Sequence, residues 1–167
     1  EQKKSADIWA VASVIKKIDI QTEKASELGA AKFVAVKTDK SVIHKIKHDR
    51  LQAIAIEAAE QCERLDVMEV SEQVLKLEDI IKANPERIFI LCLERLDSKP
   101  ILQVAENITN LSLAVVIGAE GGFSQEEIIR LEKFTNVKFA SLGKNILRAE
   151  TALITALSAI TLTLDNK

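Results

Sequence analysis

The chain has 167 residues, of which 47% are hydrophobic and 29% charged. That is the balance of a soluble globular protein with one domain and a full core. No apolar run approaches the roughly 20 residues that cross a bilayer, and the formal net charge of -2 argues, taken alone, against a nucleic-acid binder.

In chain order, "EQKKSADIWAV" lacks the apolar core and cleavage site of a secretory signal. "IWAVASVI" (Ile8–Ile15) reads as a strand, with Trp9 expected in the core or at an interface rather than as a base-stacking platform. "IQTEKASELGA" (Ile20–Ala30) reads as a helix stopped by Gly29. "KFVAVK" (Lys32–Lys37) is a short apolar strand that opens the most basic stretch, "KFVAVKTDKSVIHKIKHDR". Residues 1–50 carry more Lys and Arg than Asp and Glu; the remainder carries the acidic excess. Lys37, Lys45, Lys47 and Arg50 make this stretch a candidate phosphate-facing patch. A solvated loop and helix start is the other reading. His44 and His48 stand at i,i+4, as metal ligands on one helix face can. The surrounding lysines and Arg50 would repel a cation, so no metal is expected.

"LQAIAIEAAEQCERL" (Leu51–Leu65) reads as an amphipathic helix. Leu51, Ile54, Ala55, Ala58 and Cys62 share its apolar face, and Glu60 pairs with Arg64 at i,i+4. "DVMEV" is a strand, and Ser71 to Ala83 a helix that ends before Asn84-Pro85. "RIFILCL" (Arg87–Leu93) is the most strand-like run. Cys62 and Cys92 show no paired spacing, so reduced thiols in a cytosolic protein are expected. "SKPILQVAEN" (Ser98–Asn107) reads as a short helix opened by Ser98 and Pro100. "LSLAVVIG" (Leu111–Gly118) is a strand apolar on both faces. Ser124 and Glu127 have capping-box spacing at a helix start. "NVKFASLG" (Asn136–Gly143) is a strand and loop, and "ILRAETALITALSAITLTLD" (Ile146–Asp165) a long apolar helix. The alternation implies an α/β domain with a mainly parallel sheet.

Only five glycines occur, and four fall in two loops: Gly118, Gly121 and Gly122 in "VVIGAEGGFSQEE", and Gly143 in "SLGKNILRAET". Both loops follow strands, where ligands of parallel sheets bind. Glycine lets a ligand approach the backbone closely. A turn that merely relieves strain is the other reading. Neither the P-loop nor the Rossmann fingerprint is present. Glu120 would repel a phosphate and suit a cation such as a sulfonium or amine. In the second loop, Ile146 and Leu147 beside Gly143 could wall a flat aromatic ring. Arg148 could also be a plain surface ion-pair partner.

Together the two stretches closely resemble the C-terminal signatures of the RsmE family, ribosomal RNA uridine-N3 methyltransferases of the SPOUT superfamily. "EKASELGA" (Glu23–Ala30) and "AIAIEAAEQCER" (Ala53–Arg64) resemble its upstream signatures, in order and spacing. The resemblance covers about Ile20 to Leu164. The sequence departs from the family's proline at Ala119 and Lys144, its frequent arginine at Asn145 and its usual glycine at Glu63.

The resemblance implies one SPOUT methyltransferase domain over residues 1–167: an α/β knot, trefoil in its C-terminal part, with a mainly parallel sheet. It implies S-adenosyl-L-methionine as cofactor. Leu93, Ile117, Gly118, Glu120, Gly121 and Gly122 would hold it from one side. Leu142, Gly143, Ile146, Leu147, Arg148 and Thr151 would hold it from the other. Arg148 is then the candidate to stabilise negative charge on the uracil carbonyls, and Glu150 to orient Arg148 or take the N3 proton. The implied substrate is 16S rRNA in the small ribosomal subunit, met by Lys37, Lys45, Lys47, Arg50 and Arg64. The implied active form is a cytoplasmic homodimer with no metal and no membrane anchor. The family's N-terminal PUA-like RNA-binding domain is expected to be absent, because only Glu1 to Asp19 precede the first matching helix. Two further readings stay open: a cofactor-binding dimer inactive without that domain, and a SPOUT methyltransferase acting on tRNA.

Overall fold

A computed structural model of the chain describes residues 6–94 and 98–167. In chain order the elements are β1 (Asp7–Ser13), α1 (Ile18–Glu27), β2 (Lys32–Lys37), α2 (His48–Gln61), β3 (Glu69–Val70), β4 (Leu75–Lys76) and α3 (Leu77–Ala83). Then come β5 (Ile88–Leu93), α4 (Ile101–Glu106), β6 (Ser112–Ile117), α5 (Gln125–Leu131), β7 (Val137–Ser141) and α6 (Ala149–Asp165). The strands form one sheet of order β3-β2-β1-β6-β5-β7, with β4 also paired to β2. Every pairing within it is parallel.

A parallel sheet must be covered on both faces, and the two-residue period of each strand divides its side chains between two cores. Leu113, Val115 and Ile117 of β6 join the core that also buries Leu51, Val104, Leu153 and Leu157. That face is covered by α1, α2, α4 and α6. Ala114 and Val116 of the same strand join the opposite core with Leu77, Ile81 and Leu131, under α3 and α5.

Four sequence expectations need correcting. The helix predicted from Ser71 starts only at Leu77. The Ser71 hydroxyl caps nothing; it accepts from the Ala35 amide at 3.0 Å, and Leu75–Lys76 pair with β2 instead. The helix predicted to Leu65 ends at Gln61, with Glu63 at φ 61 just beyond it. The left-handed backbone there explains why glycine suits this position. Arg64 therefore never meets Glu60 across a helical turn. Its Nη1 donates to the carbonyls of Ser26 (2.7 Å) and Ala30 (3.0 Å), closing the C-terminal end of α1. Cys62, read as apolar-face, is exposed, and both cysteines are free thiols.

Candidate active site

The carboxyl ends of β5 and β6 and the loop after β7 open into one cleft of about 580 Å³. Leu93 and Ile117, each the last residue of its strand, form its apolar floor. The first wall is Gly118–Phe123. Its turn closes through a hydrogen bond from the Gly122 amide to the Ala119 carbonyl at 2.8 Å, with Gly122 at φ 76. A Cβ on Gly118 would lie 3.2 Å from the carbonyl carbon of Gly122, so the chain folds back on itself too closely for a side chain. The second wall is Leu142–Arg148, with Gly143 at φ 120. The Ser141 amide donates to the Lys99 carbonyl at 2.9 Å, which moors this loop beside the chain that follows β5.

The structure thus brings Leu93, Ile117, Gly118, Glu120, Gly121 and Gly122 together with Leu142, Gly143, Ile146, Leu147, Arg148 and Glu150. It does not bring Thr151 there. That residue is exposed on α6, and its carbonyl accepts from the Thr155 hydroxyl at 2.8 Å. Sequence reasoning missed Lys17, Cys92, Phe123 and Gln125, which also line the cleft. Burial pushes the Cys92 thiol up to about 12, which makes it an inert wall rather than a nucleophile.

Glu150 was expected to orient Arg148. It pairs instead with Lys17, whose Nζ is 3.5 Å from Oε1. Residues two apart on a helix point to different sides, and Arg148 precedes the helix in extended backbone (φ -63, ψ 152). Its guanidinium makes no hydrogen bond or ion pair to a described residue.

Behind the first wall lies a polar clasp. Ser124 caps α5 by accepting from the Glu127 amide at 3.0 Å. Its hydroxyl also donates to Asp39 at 2.5 Å, and the other Asp39 oxygen accepts from Arg130 at 2.8 Å. Glu127, 3% exposed, accepts from the Asp39 amide at 3.1 Å through Oε2, while Oε1 is buried without a partner. Lys40 reaches over to the Gly121 carbonyl at 3.1 Å. The Ser124 hydroxyl and Arg130 hold Asp39 below the ordinary carboxylate range. Burial and the charge of Asp39 push Glu127 above it.

The basic candidates are dispersed. Lys37, Lys45 and Lys47 are exposed between the end of β2 and the start of α2. Arg50 is held in an ion pair with Asp19. Arg64 is 12% exposed and committed to α1 and to Asp66, a structural position that leaves little to offer a phosphate. His44 lies outside the helix, while His48 Nδ1 donates to the Ser71 carbonyl at 3.1 Å. Among the described residues no group of three potential ligands could hold a metal ion. None of their helices is long and apolar enough to cross a membrane.

Fold and cleft define a class: a parallel α/β domain whose two glycine-bearing loops enclose one ligand pocket at the strand ends. The family model of the RNA methyltransferase domain matches residues 2–161, and the chain belongs to that family. It is 32% identical over 146 residues to the ribosomal RNA small subunit methyltransferase E of Rickettsia conorii, covering 87% of this chain and 59% of that one. It is 36% identical over 146 residues to the enzyme of the same name from a Synechocystis strain, covering 84% of this chain and 48% of that one. The chain therefore spans about half the length of these relatives. A Legionella pneumophila protein described as a methyltransferase, solved with its cofactor SAM, superposes with a TM-score of 0.80 at 28% identity. That match covers 94% of this chain and 66% of the other. The α/β fold with a mainly parallel sheet implied by the sequence is the fold of this chain, and it is shared with that methyltransferase.

Proposed function

We propose that this chain is the catalytic domain of a methyltransferase that modifies uridine N3 in small-subunit ribosomal RNA. The observation that carries the reading is the single cleft formed by both glycine loops at the strand ends. Its chemistry suits S-adenosyl-L-methionine. Gly118 lets the first wall fold back on itself, with Gly122 and Phe123 packed where a side chain would stand, which shapes the loop beside the cleft. Leu93, Ile117, Leu142 and Leu147 supply apolar surface for an adenine ring, with backbone groups of the loops to read its edge. Glu120 and Glu94 at the rim favour a cationic ligand over a triphosphate.

The cofactor supplies an electrophilic methyl on a sulfonium that departs as a neutral thioether. The residues of the chain then have two tasks. The loops hold donor and acceptor in line, which removes much of the entropic barrier. Arg148 offers five donors to the negative charge that spreads over the uracil carbonyls as N3 releases its proton to solvent water. The expected target is 16S rRNA in the small subunit of a cytoplasmic ribosome. The exposed Lys37, Lys45 and Lys47 would meet its phosphates, and the active form would be a homodimer.

Titration calorimetry with S-adenosylmethionine, beside methylation of 30S subunits mapped by mass spectrometry, tests the reading. Binding and an N3-methyluridine are expected; a ribose methyl in tRNA would assign the domain to another substrate. Arg148→Ala should lower transfer about 100-fold or more while cofactor affinity stays within about twofold. Equal losses in both would remove its catalytic role. Binding without transfer would select a second reading, a cofactor-binding dimer that does not turn over by itself.

A further inference from the structure

Lys17 belongs to no motif of the sequence, yet the fold carries it into the cleft. It stands at the start of α1, where its carbonyl accepts from the amides of Ile20 (3.1 Å) and Gln21 (3.2 Å). Its ammonium lies 3.5 Å from Glu150 Oε1. Glu150 sits in the first turn of α6, where the helix N-terminus also favours a carboxylate. Its side chain is 14% exposed against 51% for Lys17, so the carboxylate is the enclosed partner and the ammonium the outer one.

Among the described residues lining the cleft, Lys17 and Arg148 are the two cations. A carboxylate sharing a cleft with a guanidinium competes for it, because charge-assisted arginine–carboxylate bonds are short and often bidentate. In this structure Glu150 does not compete; Lys17 holds it. We propose, building on the methyl-transfer reading, that Lys17 is a positioning residue. It fixes Glu150 on the α1 side of the cleft and so leaves the Arg148 guanidinium uncommitted for the negative charge of the target nucleotide. Without Lys17, the cation that remains for Glu150 among the described residues lining the cleft is Arg148.

The epistasis is distinctive. Lys17→Met should lower kcat for methyl transfer about tenfold, with S-adenosylmethionine affinity unchanged by calorimetry, and Lys17→Arg should restore it. Adding Glu150→Gln to Lys17→Met should recover transfer, because the Glu150 carboxylate then no longer occupies Arg148. A purely structural ion pair predicts a double variant no better than Lys17→Met, and that result overturns the proposal. A proton-accepting Glu150 predicts that Glu150→Gln alone abolishes transfer, and that also overturns it. Phenylglyoxal labelling of Arg148, followed by mass spectrometry, reads the same point without turnover. Labelling should be fast in the wild type, slow in Lys17→Met and fast again in the double variant. Equal rates in the wild type and Lys17→Met sink the idea. If labelling follows the pattern while the wild type transfers no methyl, Lys17 keeps its role and the methyl-transfer reading falls.

Discussion

Two glycines three positions apart in the first wall are glycine for different reasons. At Gly118 a Cβ would press on the Gly122 backbone at 3.2 Å and on the Phe123 ring at the same distance. Backbone cannot swing aside, so the whole turn would have to move. At Gly121 a Cβ would meet only the Lys40 side chain, with Cδ at 3.2 Å. Lysine has several rotatable bonds and an exposed position, so it can step away. Gly118→Val should therefore abolish S-adenosylmethionine binding, whereas Gly121→Ala should bind within about threefold of wild type. Calorimetry on both variants, with circular dichroism to verify folding, checks the contrast. Equal losses would mean that Gly121 touches the ligand directly. The sequence could place these glycines in a ligand loop, because three in five positions after an apolar run is a local signal. It could not rank them, because Lys40 lies 81 positions from Gly121.

At the scale of elements, the clasp between the β2–α2 connection and the start of α5 sets two carboxylates against each other in pH. Asp39 has a lowered folded pKa, so its contribution is present above the unfolded value near 3.8 and lost as pH falls through the folded one. Glu127 has a raised folded pKa. Its contribution is complete below the unfolded value near 4.5 and lost as pH rises through the folded one. Asp39→Asn should thus lower the urea midpoint at about pH 7 and matter much less at about pH 2, below the window in which the contribution is lost. Glu127→Gln should do the reverse: it removes a buried charge that lacks a partner on Oε1, so it stabilises most at about pH 7. Two variants shifting the midpoint in the same direction at neutral pH would refute the assignment. The elements themselves were largely legible, since buried strands and the Ser124 cap are written in short windows. Ser71 misled because its spacing to the next apolar residues looks like a helix start. Its hydroxyl is spent on β2 instead, a contact made across the sheet. The Lys17–Glu150 pair was invisible for the same reason: it joins the two ends of the chain.

Over the whole molecule, the parallel sheet separates binding from stability. All strands point the same way, so one end carries the cleft and the other carries the strand starts. At that second end Arg87, 7% exposed, fastens three strands. Its Nη1 donates to the carbonyls of Asp7 (2.9 Å) and Leu113 (2.7 Å), and its Nη2 pairs with the Asp7 carboxylate. The guanidinium also lies 3.7 Å from the centre of the Trp9 ring, which gives Trp9 a structural place as a stacking partner within the fold. Arg87→Met keeps the length of the stem and removes the donors. The Leu113 and Asp7 carbonyls would then lose a partner, at about 1–3 kcal/mol for each buried group, while the half-exposed Asp7 carboxylate could turn to water. The unfolding free energy should drop by about 2–4 kcal/mol, measured by urea titration. Affinity for S-adenosylmethionine, measured on the protein that remains folded, should stay unchanged, because Arg87 and the cleft lie at opposite ends of β5. A loss of affinity matching the loss of stability would show that the two ends are coupled through the sheet, and that the loops depend on the strand starts for their shape.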